Sequence, residues 1–292
     1  MRRREFTQLA AASIAAAAPM EIIDTHAHFY DPSRAEGVPW PPKSETLLYR
    51  TVMPPEFEKL VKPLGVTGVI KVEASAWLED NQWILDLAAR NPFIVGVVGH
   101  LDPGKPEFRG HLERFRKNQK FLGIRLGGSW GEAFGGVSPK AEVIADLKLL
   151  ASAGLQLDAI GNAAFLTQVV RLSDRVPDLR IVIDHLPFEE KIDASVMHEL
   201  AVRKKIYAKV SNVVRRVDGK VIEEAGYYKA ALDELWGVFG EDRVIYGSNW
   251  PVSNRVAPYE ALFGIVKKYA DAKGALASAK YFAKNAKAAY RY

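Results

Sequence analysis

Eight short runs of β-branched and other apolar residues recur along the chain, with helical patterns between most of them. The predicted strands are Glu21–Thr25, Thr67–Glu73, Phe93–His100, Phe121–Leu126, Leu155–Ile160, Arg180–His185, Ile206–Ser211 and Arg243–Gly247. Alternating strands and helices indicate parallel pairing through right-handed crossovers. Eight such units predict an α/β fold, a (β/α)8 TIM barrel, as a single domain over residues 21–292. An open, doubly wound sheet is the alternative.

The segments between the predicted strands carry apolar residues at helical spacing. Val143, Leu147 and Leu150 fall on one face of a predicted helix, and Gly154 follows as a stop signal. The length of 292 residues suits one barrel of this kind.

Composition excludes several classes of function. The formal net charge is +5, from 40 Lys and Arg against 35 Asp and Glu, which is too mild to predict a nucleic-acid partner. The chain has no cysteine, so disulfides and thiolate metal sites are excluded.

The first 18 residues have the pattern of an export signal. Three arginines at positions 2–4 precede an alanine-rich apolar run from Leu9 to Ala18, which is too short to span a bilayer. Residues 3–6, Arg-Arg-Glu-Phe, resemble a twin-arginine motif. We therefore expect residues 1–18 to direct the protein to the periplasm, with a helical tail on a cytoplasmic protein as the alternative. No stable membrane insertion is expected.

Polar side chains stand at the end of every predicted strand. They are His26, His28, Glu73, His100, Arg125, Asp158, Asp184, His185, Ser211 and Asn249. Strand ends in a barrel converge on one mouth, where active sites are built. A core would take apolar residues at these positions, because buried unpaired polar groups are costly. The set therefore predicts a functional pocket.

His26 and His28 flank Ala27 directly after an apolar run. Side chains alternate along a strand, so the two imidazoles should point the same way, and neutral imidazole is a good zinc ligand. By the same alternation, Asp184 should point away from His185 and bond the next turn.

Two long segments follow strand ends and should form loops at the same mouth. Residues 31–55 are rich in proline, and residues 127–140 are rich in glycine. Trp40 and Trp130 lie in them, as predicted substrate-contacting residues or as ordinary loop packing.

Five motifs together resemble the amidohydrolase superfamily. They are Asp24–His28 (DTHAH), Gly123–Arg125 (GIR), Val182–His185 (VIDH), Tyr246–Pro251 (YGSNWP) and the tail Asn285–Tyr290 (NAKAAY). The similar branch is the amidohydrolase-related one that opens sugar lactones and pyrone lactones. The resemblance implies a TIM barrel and a hydrolase acting on ester or lactone bonds.

The resemblance assigns residues by position. The strand-1 histidine pair of the family corresponds to His26 and His28, its strand-6 histidine to His185, and its substrate-contacting arginine to Arg125. The strand-8 aspartate that activates water or binds metal falls on Asn249. An amide cannot accept a proton at working pH and is a poorer metal ligand than a carboxylate.

The departure at Asn249 leaves three interpretations. A hydrolase could use Asp158, Glu73 or a histidine as its base. A sugar-lactone isomerase that needs no metal could dispense with activated water. An exported binding barrel would have lost catalysis. Hydrolysis is the prediction, with water attacking the carbonyl, the histidines stabilising the oxyanion and Asn249 orienting the nucleophile or a ring oxygen.

The predicted substrate is a small sugar-acid lactone or related ester. Arg125, Glu73, Trp40, Trp130 and Ser211 are the predicted substrate-binding residues. His26, His28 and His185 could hold a divalent metal, zinc before others, or could act on the substrate directly. No organic cofactor is expected, and the branch is often monomeric or homodimeric.

Overall fold

The computed structural model describes residues 20–127 and 139–292, and its centre is a ring of eight parallel strands. In chain order the strands are β1 (Ile23–Ala27), β2 (Gly68–Val72), β3 (Ile94–Gly99), β4 (Phe121–Leu126), β5 (Gln156–Ala159), β6 (Ile181–Leu186), β7 (Ile206–Val210), the hairpin β8 (Arg216–Val217) and β9 (Lys220–Val221), and β10 (Val244–Tyr246). Each barrel strand pairs with the next, and β7 pairs with β10 across the hairpin. A parallel bridge from Ala27 to Trp250 joins the two ends of the sheet.

Helices surround the ring, and the last of them lies below it. They are α1 (Pro54–Val61), α2 (Leu78–Arg90), α3 (Phe108–Phe115), α4 (Ala141–Ser152), α5 (Leu166–Arg175), α6 (Ala194–Val202), α7 (Lys229–Phe239), α8 (Tyr259–Ala272), α9 (Ala275–Ala279) and α10 (Asn285–Tyr290). Short 3-10 turns occupy Lys62–Leu64, Ala163–Phe165, Ala225–Tyr228 and Val252–Arg255, and a π-helical turn covers Lys280–Lys284. Their inner faces are apolar, so the main core lies between sheet and helices.

The predicted barrel is confirmed for the described residues. All eight predicted strands are present, with ends that differ from prediction by no more than two residues. The segment 31–53 is a loop, as expected, and an antiparallel bridge from Tyr30 to Val52 joins its two ends. Pro54 begins α1, where its fixed φ and missing N–H suit the first helical turn. Most of the second predicted loop lies outside the described residues.

A bulge in β1 sets the direction of its histidines. Between Asp24 and Ala27, β1 advances three residues while β2 advances two. The extra residue interrupts the alternation of side chains. His26 is therefore buried in the barrel, while Ala27 packs in the outer core between sheet and helices.

A second bulge lies in β6. From Ile183 to Leu186 this strand advances three residues against two on β7, and His185 has a φ of +63°. Consecutive side chains Asp184 and His185 therefore both face the interior or its mouth. The expectation that Asp184 points away is wrong, because simple alternation fails at a bulge.

The C-terminal segment closes the other end of the barrel. Ala283, Ala286, Ala289 and Tyr290 pack against the apolar side chains inside the ring. Arg180, just before β6, donates to the carbonyl of Ala289 over 2.6 Å. The N-terminal mouth is thereby filled, which leaves the mouth at the strand C-termini for a ligand. No helix in the described part of the chain is long and apolar enough to cross a membrane.

Candidate active site

A pocket of about 440 Å³ opens at the C-terminal ends of the strands. It is lined by His28, Pro39, Trp40, Glu73, Ala74, Ser75, Ala76, Arg125, Ile160, His185, Asn249 and Val252. Six predicted site residues are among them, five from the strand ends and Trp40 from the first long loop. The volume and the mixture of polar and apolar groups suit a small organic ligand.

Asp24 fixes the end of β1 beside the last barrel strand. Its Oδ1 accepts from the backbone N–H of His26 at 3.0 Å and of Ser248 at 2.9 Å, and its Oδ2 accepts from the Tyr259 hydroxyl at 3.0 Å. Burial raises the pKa of Asp24 to about 6. The aspartate of the DTHAH motif is therefore a structural clamp for the segment that carries the histidines.

His26 lies beneath the pocket and is fully buried. Its ring is 5.0 Å from that of His28 and 4.5 Å from that of His185, centre to centre. A Cβ at Gly247 would lie 2.9 Å from the His26 Cβ, so only glycine leaves room for this imidazole. Neither ring nitrogen of His26 has a hydrogen-bond partner among the described residues, although Nδ1 lies 3.6 Å from Asp184 Oδ1.

The hydrogen-bond network assigns the tautomer of His28. Its Nδ1 lies 3.1 Å from the Val72 carbonyl, which can only accept, so Nδ1 carries the proton. The other nitrogen, Nε2, is then left with a free lone pair. Burial first, and the nearby Arg125 second, lower the pKa of His28 well below its usual value. His28 is therefore a neutral acceptor in the pocket wall.

His185 contacts a serine instead of a carbonyl. Ser211 Oγ accepts from the His185 backbone N–H at 3.1 Å and lies 3.0 Å from His185 Nδ1. A serine hydroxyl can donate to Nδ1 or accept from it, so this contact allows both neutral tautomers of His185. Burial lowers the pKa of His185 to about 4. His185 is therefore neutral, and it can donate from Nε2 when Ser211 donates to Nδ1.

Asn249 sits just past β10 with a φ of +59°, a left-handed conformation that asparagine tolerates better than most residues. Its N–H donates to the His26 carbonyl at 2.8 Å. This bond continues the closure of the ring and places the amide side chain at the mouth.

Arg125 and Glu73 form a pair in the pocket wall. Arg125 Nε donates to Glu73 Oε1 at 2.7 Å, and Nη2 donates to the Glu73 carbonyl at 2.8 Å. Arg125 Nη1 lies 3.9 Å from Asp184 Oδ2. Burial opposes the charge on Arg125, but Glu73 and Asp184 outweigh it and raise its pKa. The guanidinium charge is therefore largely balanced by the protein.

A fully buried chain of charges runs below the pocket. Lys209 Nζ lies 2.6 Å from Asp158 Oδ2 and 2.9 Å from Asp184 Oδ1. The Tyr290 hydroxyl lies 3.1 Å from both Asp158 oxygens. Burial, with repulsion from Asp184, raises the pKa of Asp158 to about 6. Burial acts the same way on Asp184, but Lys209 and then His26 hold its pKa well below the usual range.

One group in the described residues has ligand atoms close enough to share a metal. It consists of His26, Asp184 and His185, whose ligand atoms lie within 4.8 Å of one another. The predicted set contained His28 where this group has Asp184. Two imidazoles and a carboxylate are a usual catalytic zinc set. The unpartnered ring nitrogens of His26 suit such an ion.

Several predicted site residues do not line the main pocket. Asp158 is buried below the pocket rather than lining it, and Ser211 contacts His185 rather than the main cavity. Trp130 lies outside the described residues. The sequence analysis did not identify Lys209. A lysine in the otherwise apolar run Ile206–Val210 does indicate a buried ion pair, because a buried strand seldom carries an unpaired charge.

Comparisons with known proteins agree with the fold and the motifs. The family model for amidohydrolases matches residues 23–292. An L-fucono-1,5-lactonase from Burkholderia ambifaria is 29% identical over 245 residues, 79% of this chain and 80% of the relative. A zinc-bound amidohydrolase structure from Burkholderia multivorans superposes with a TM-score of 0.80 at 23% identity, over 92% of this chain and 99% of the other. Amidohydrolase 2 from Bifidobacterium longum subsp. infantis gives 0.70 at 23% identity, over 93% and 99%.

Proposed function

Because this chain belongs to the amidohydrolase family, we propose that it is a hydrolase that opens a sugar lactone by attack of water on the lactone carbonyl. The observation that carries the proposal is the pocket wall. It combines a neutral histidine with a free acceptor nitrogen, a second neutral histidine beside a serine hydroxyl, and a guanidinium at the ends of three strands. The lactonase activity of the relative from B. ambifaria points the same way.

His28 and His185 divide the proton chemistry. His28 Nε2 accepts a proton from the attacking water, since its Nδ1 proton is committed to Val72. His28 then returns that proton to the ring oxygen as the bond between this oxygen and the carbonyl carbon breaks. His185 Nε2–H and the Asn249 amide donate to the carbonyl oxygen as negative charge develops there. Asn249 thus replaces the missing carboxylate with a donor, and the base moves to a histidine.

Asp158 and Ser211 act from outside the pocket. In this mechanism Ser211 donates to His185 Nδ1, which leaves the imidazole proton on Nε2. Asp158 holds Lys209, which in turn holds Asp184. We propose positioning roles for both.

A divalent metal, zinc in the first instance, would be held by His26, Asp184 and His185. His185 would then carry its proton on Nδ1 and donate it to Ser211, so metal binding and the donor role of His185 Nε2–H exclude each other. Bound zinc would supply Lewis acidity toward a carbonyl or a water. The proton transfers assigned above to His28 belong to the protein alone.

The substrate class follows from charge and shape. Arg125 is already paired with Glu73, so the pocket offers a polar wall with little net positive charge for a carboxylate. Trp40, whose ring centre lies 5.6 Å from that of His28, presents an indole to the apolar face of a sugar ring. A neutral aldono-1,5-lactone fits these features better than a dicarboxylated lactone.

The test is a panel of lactones offered to the purified protein. The panel contains L-fucono-1,5-lactone, other neutral aldonolactones, aryl esters and a dicarboxylated pyrone lactone, with proton release and NMR as readouts. We expect acid release, with neutral lactones at least about tenfold faster in kcat/KM than the dicarboxylate, which corresponds to about 1.4 kcal/mol.

Variants and the pattern of products complete the test. His185→Ala and Arg125→Lys should each lower kcat/KM at least about tenfold. The first removes the donor to the carbonyl oxygen, and the second replaces the forked guanidinium that holds Glu73 with a single ammonium. A shift of ring resonances without acid would instead indicate an isomerase. Ligand-induced thermal stabilisation without turnover would indicate a binding barrel.

We also propose that the protein is exported by the twin-arginine route, on the basis of residues 1–18. Cell fractionation should find it in the periplasm, and replacing Arg3 and Arg4 with lysine should retain it in the cytoplasm. Purely cytoplasmic wild-type protein would contradict this proposal.

A further inference from the structure

Lys209 forms an ion pair with Asp184, the carboxylate of the candidate metal group. Asp184 Oδ1 lies 2.9 Å from Lys209 Nζ and 3.6 Å from His26 Nδ1. The other oxygen, Oδ2, faces Arg125 Nη1 at 3.9 Å. Both oxygens of the only carboxylate in the group therefore face a fixed cation.

Lys209 has no route out of this position. Its side chain is fully buried, and its second partner, Asp158, is equally buried. Asp158 is fixed in turn by Tyr290 and by Gln156, which donates at 3.3 Å. A side chain so placed cannot swing into solvent when a second cation arrives. A divalent ion at His26, Asp184 and His185 would have to share the carboxylate with a neighbouring ammonium.

We propose that Lys209 is an internal counter-ion that competes with divalent metal for Asp184 and so keeps the affinity of the His26–Asp184–His185 group low. The mechanism is electrostatic, since like charges at close range in a buried site repel strongly. Asp158 has the opposite influence, because it draws the Lys209 charge away from Asp184 and adds a negative charge nearby.

The experiment compares zinc affinities in three proteins. The double variant Asp158→Asn/Lys209→Met removes one charge of each sign, which leaves the net charge of the buried set unchanged. Asp158→Asn alone leaves Lys209 with Asp184 as its only carboxylate. Zinc affinity is measured by competition with a chromogenic chelator, and metal content after dialysis is measured by mass spectrometry. These readouts do not depend on lactone hydrolysis, so failure of the proposed function leaves this test intact.

We expect the double variant to bind zinc at least tenfold more tightly than the wild type, and Asp158→Asn to bind it at least threefold more weakly. Lys205→Met is the matched control, because Lys205 is 48% exposed and pairs with Asp178 on the surface. It should leave zinc affinity unchanged.

Equal affinity of the double variant and the wild type would overturn the proposal. Tighter zinc binding by Asp158→Asn than by the wild type would also overturn it. This comparison tests the proposal even if the double variant does not fold. A wild type that retains one equivalent of zinc through dialysis against a strong chelator would also overturn it.

Discussion

The hydroxyl of Tyr290 should be worth about 2 kcal/mol of folding free energy, although Tyr290 does not line the pocket. It bonds both oxygens of Asp158, the carboxylate that neutralises Lys209. Tyr290→Phe removes the oxygen and keeps the ring, so no large cavity forms. A hydrogen bond to a charged group is worth about 1.5–3 kcal/mol, and Asp158 keeps its bonds to Lys209 and Gln156, which places the loss near the lower half of that range.

Tyr281 offers a control in the same C-terminal segment. It is 1% exposed, as is Tyr290, but its hydroxyl has no hydrogen-bond partner among the described residues. Tyr281→Phe removes a buried polar atom that gains nothing from the fold. The change should therefore leave stability within about 0.5 kcal/mol or raise it slightly.

Urea unfolding at pH 7.5, followed by circular dichroism and tryptophan fluorescence, measures both variants. Coincident transitions are required before free energies are compared. A loss of ~2 kcal/mol corresponds to roughly 4 °C in melting temperature for a chain of this size. Equal losses in the two variants would refute the argument, because they would show that the Asp158 contact adds nothing to the removal of a hydroxyl.

Four further predictions concern the site and its supports. Gly247→Ala should destabilise the fold by about 1–3 kcal/mol, because the added Cβ crowds His26. Gly237→Ala, in α7 with open space around it, should stabilise the fold by up to about 1 kcal/mol. Denaturant unfolding of the two variants measures both changes. Ser211→Ala should lower kcat in the lactone assay at least about threefold with KM nearly unchanged, because His185 loses its tautomer control; a change in KM alone would contradict this. Asn249→Asp should keep the fold and retain more zinc after dialysis, since a carboxylate is the better ligand. Burial raises the pKa of Asp158 from 3.8 to about 6, so the native state holds more protons than the unfolded state between these values. The wild type should therefore lose stability relative to Asp158→Asn as pH rises from about 4 to about 6, with little further loss above about pH 7.

The sequence predicted the barrel because alternation of strand and helix is a pattern of whole segments, which tolerates errors at their ends. It also placed His28, Arg125 and Asn249 correctly in one pocket, since parallel strand ends must converge. For these inferences it was enough to know at the end of which strand a residue lies.

Residue-level contacts were harder to predict because they depend on register. The bulge at His185 brought its side chain to the same side of the strand as that of Asp184, which had been expected to point away from it. Lys209 was passed over because its partners Asp158 and Asp184 come from two other strands. No local pattern encodes such a pairing. A single sequence therefore did not predict the interactions between residues that are far apart in the chain.

Closure of the ring has a consequence for how the protein is made. The first strand and the bridge at Trp250 are separated by more than two hundred residues, and the filling of the lower mouth comes later still, at Tyr290. A chain emerging amino-terminus first therefore exposes β1, with Asp24 lacking Ser248 and Tyr259, until these two residues have been synthesised. Long-range pairing of this kind folds slowly and leaves apolar strands open meanwhile. The barrel should therefore depend on chaperones more than its final stability would suggest.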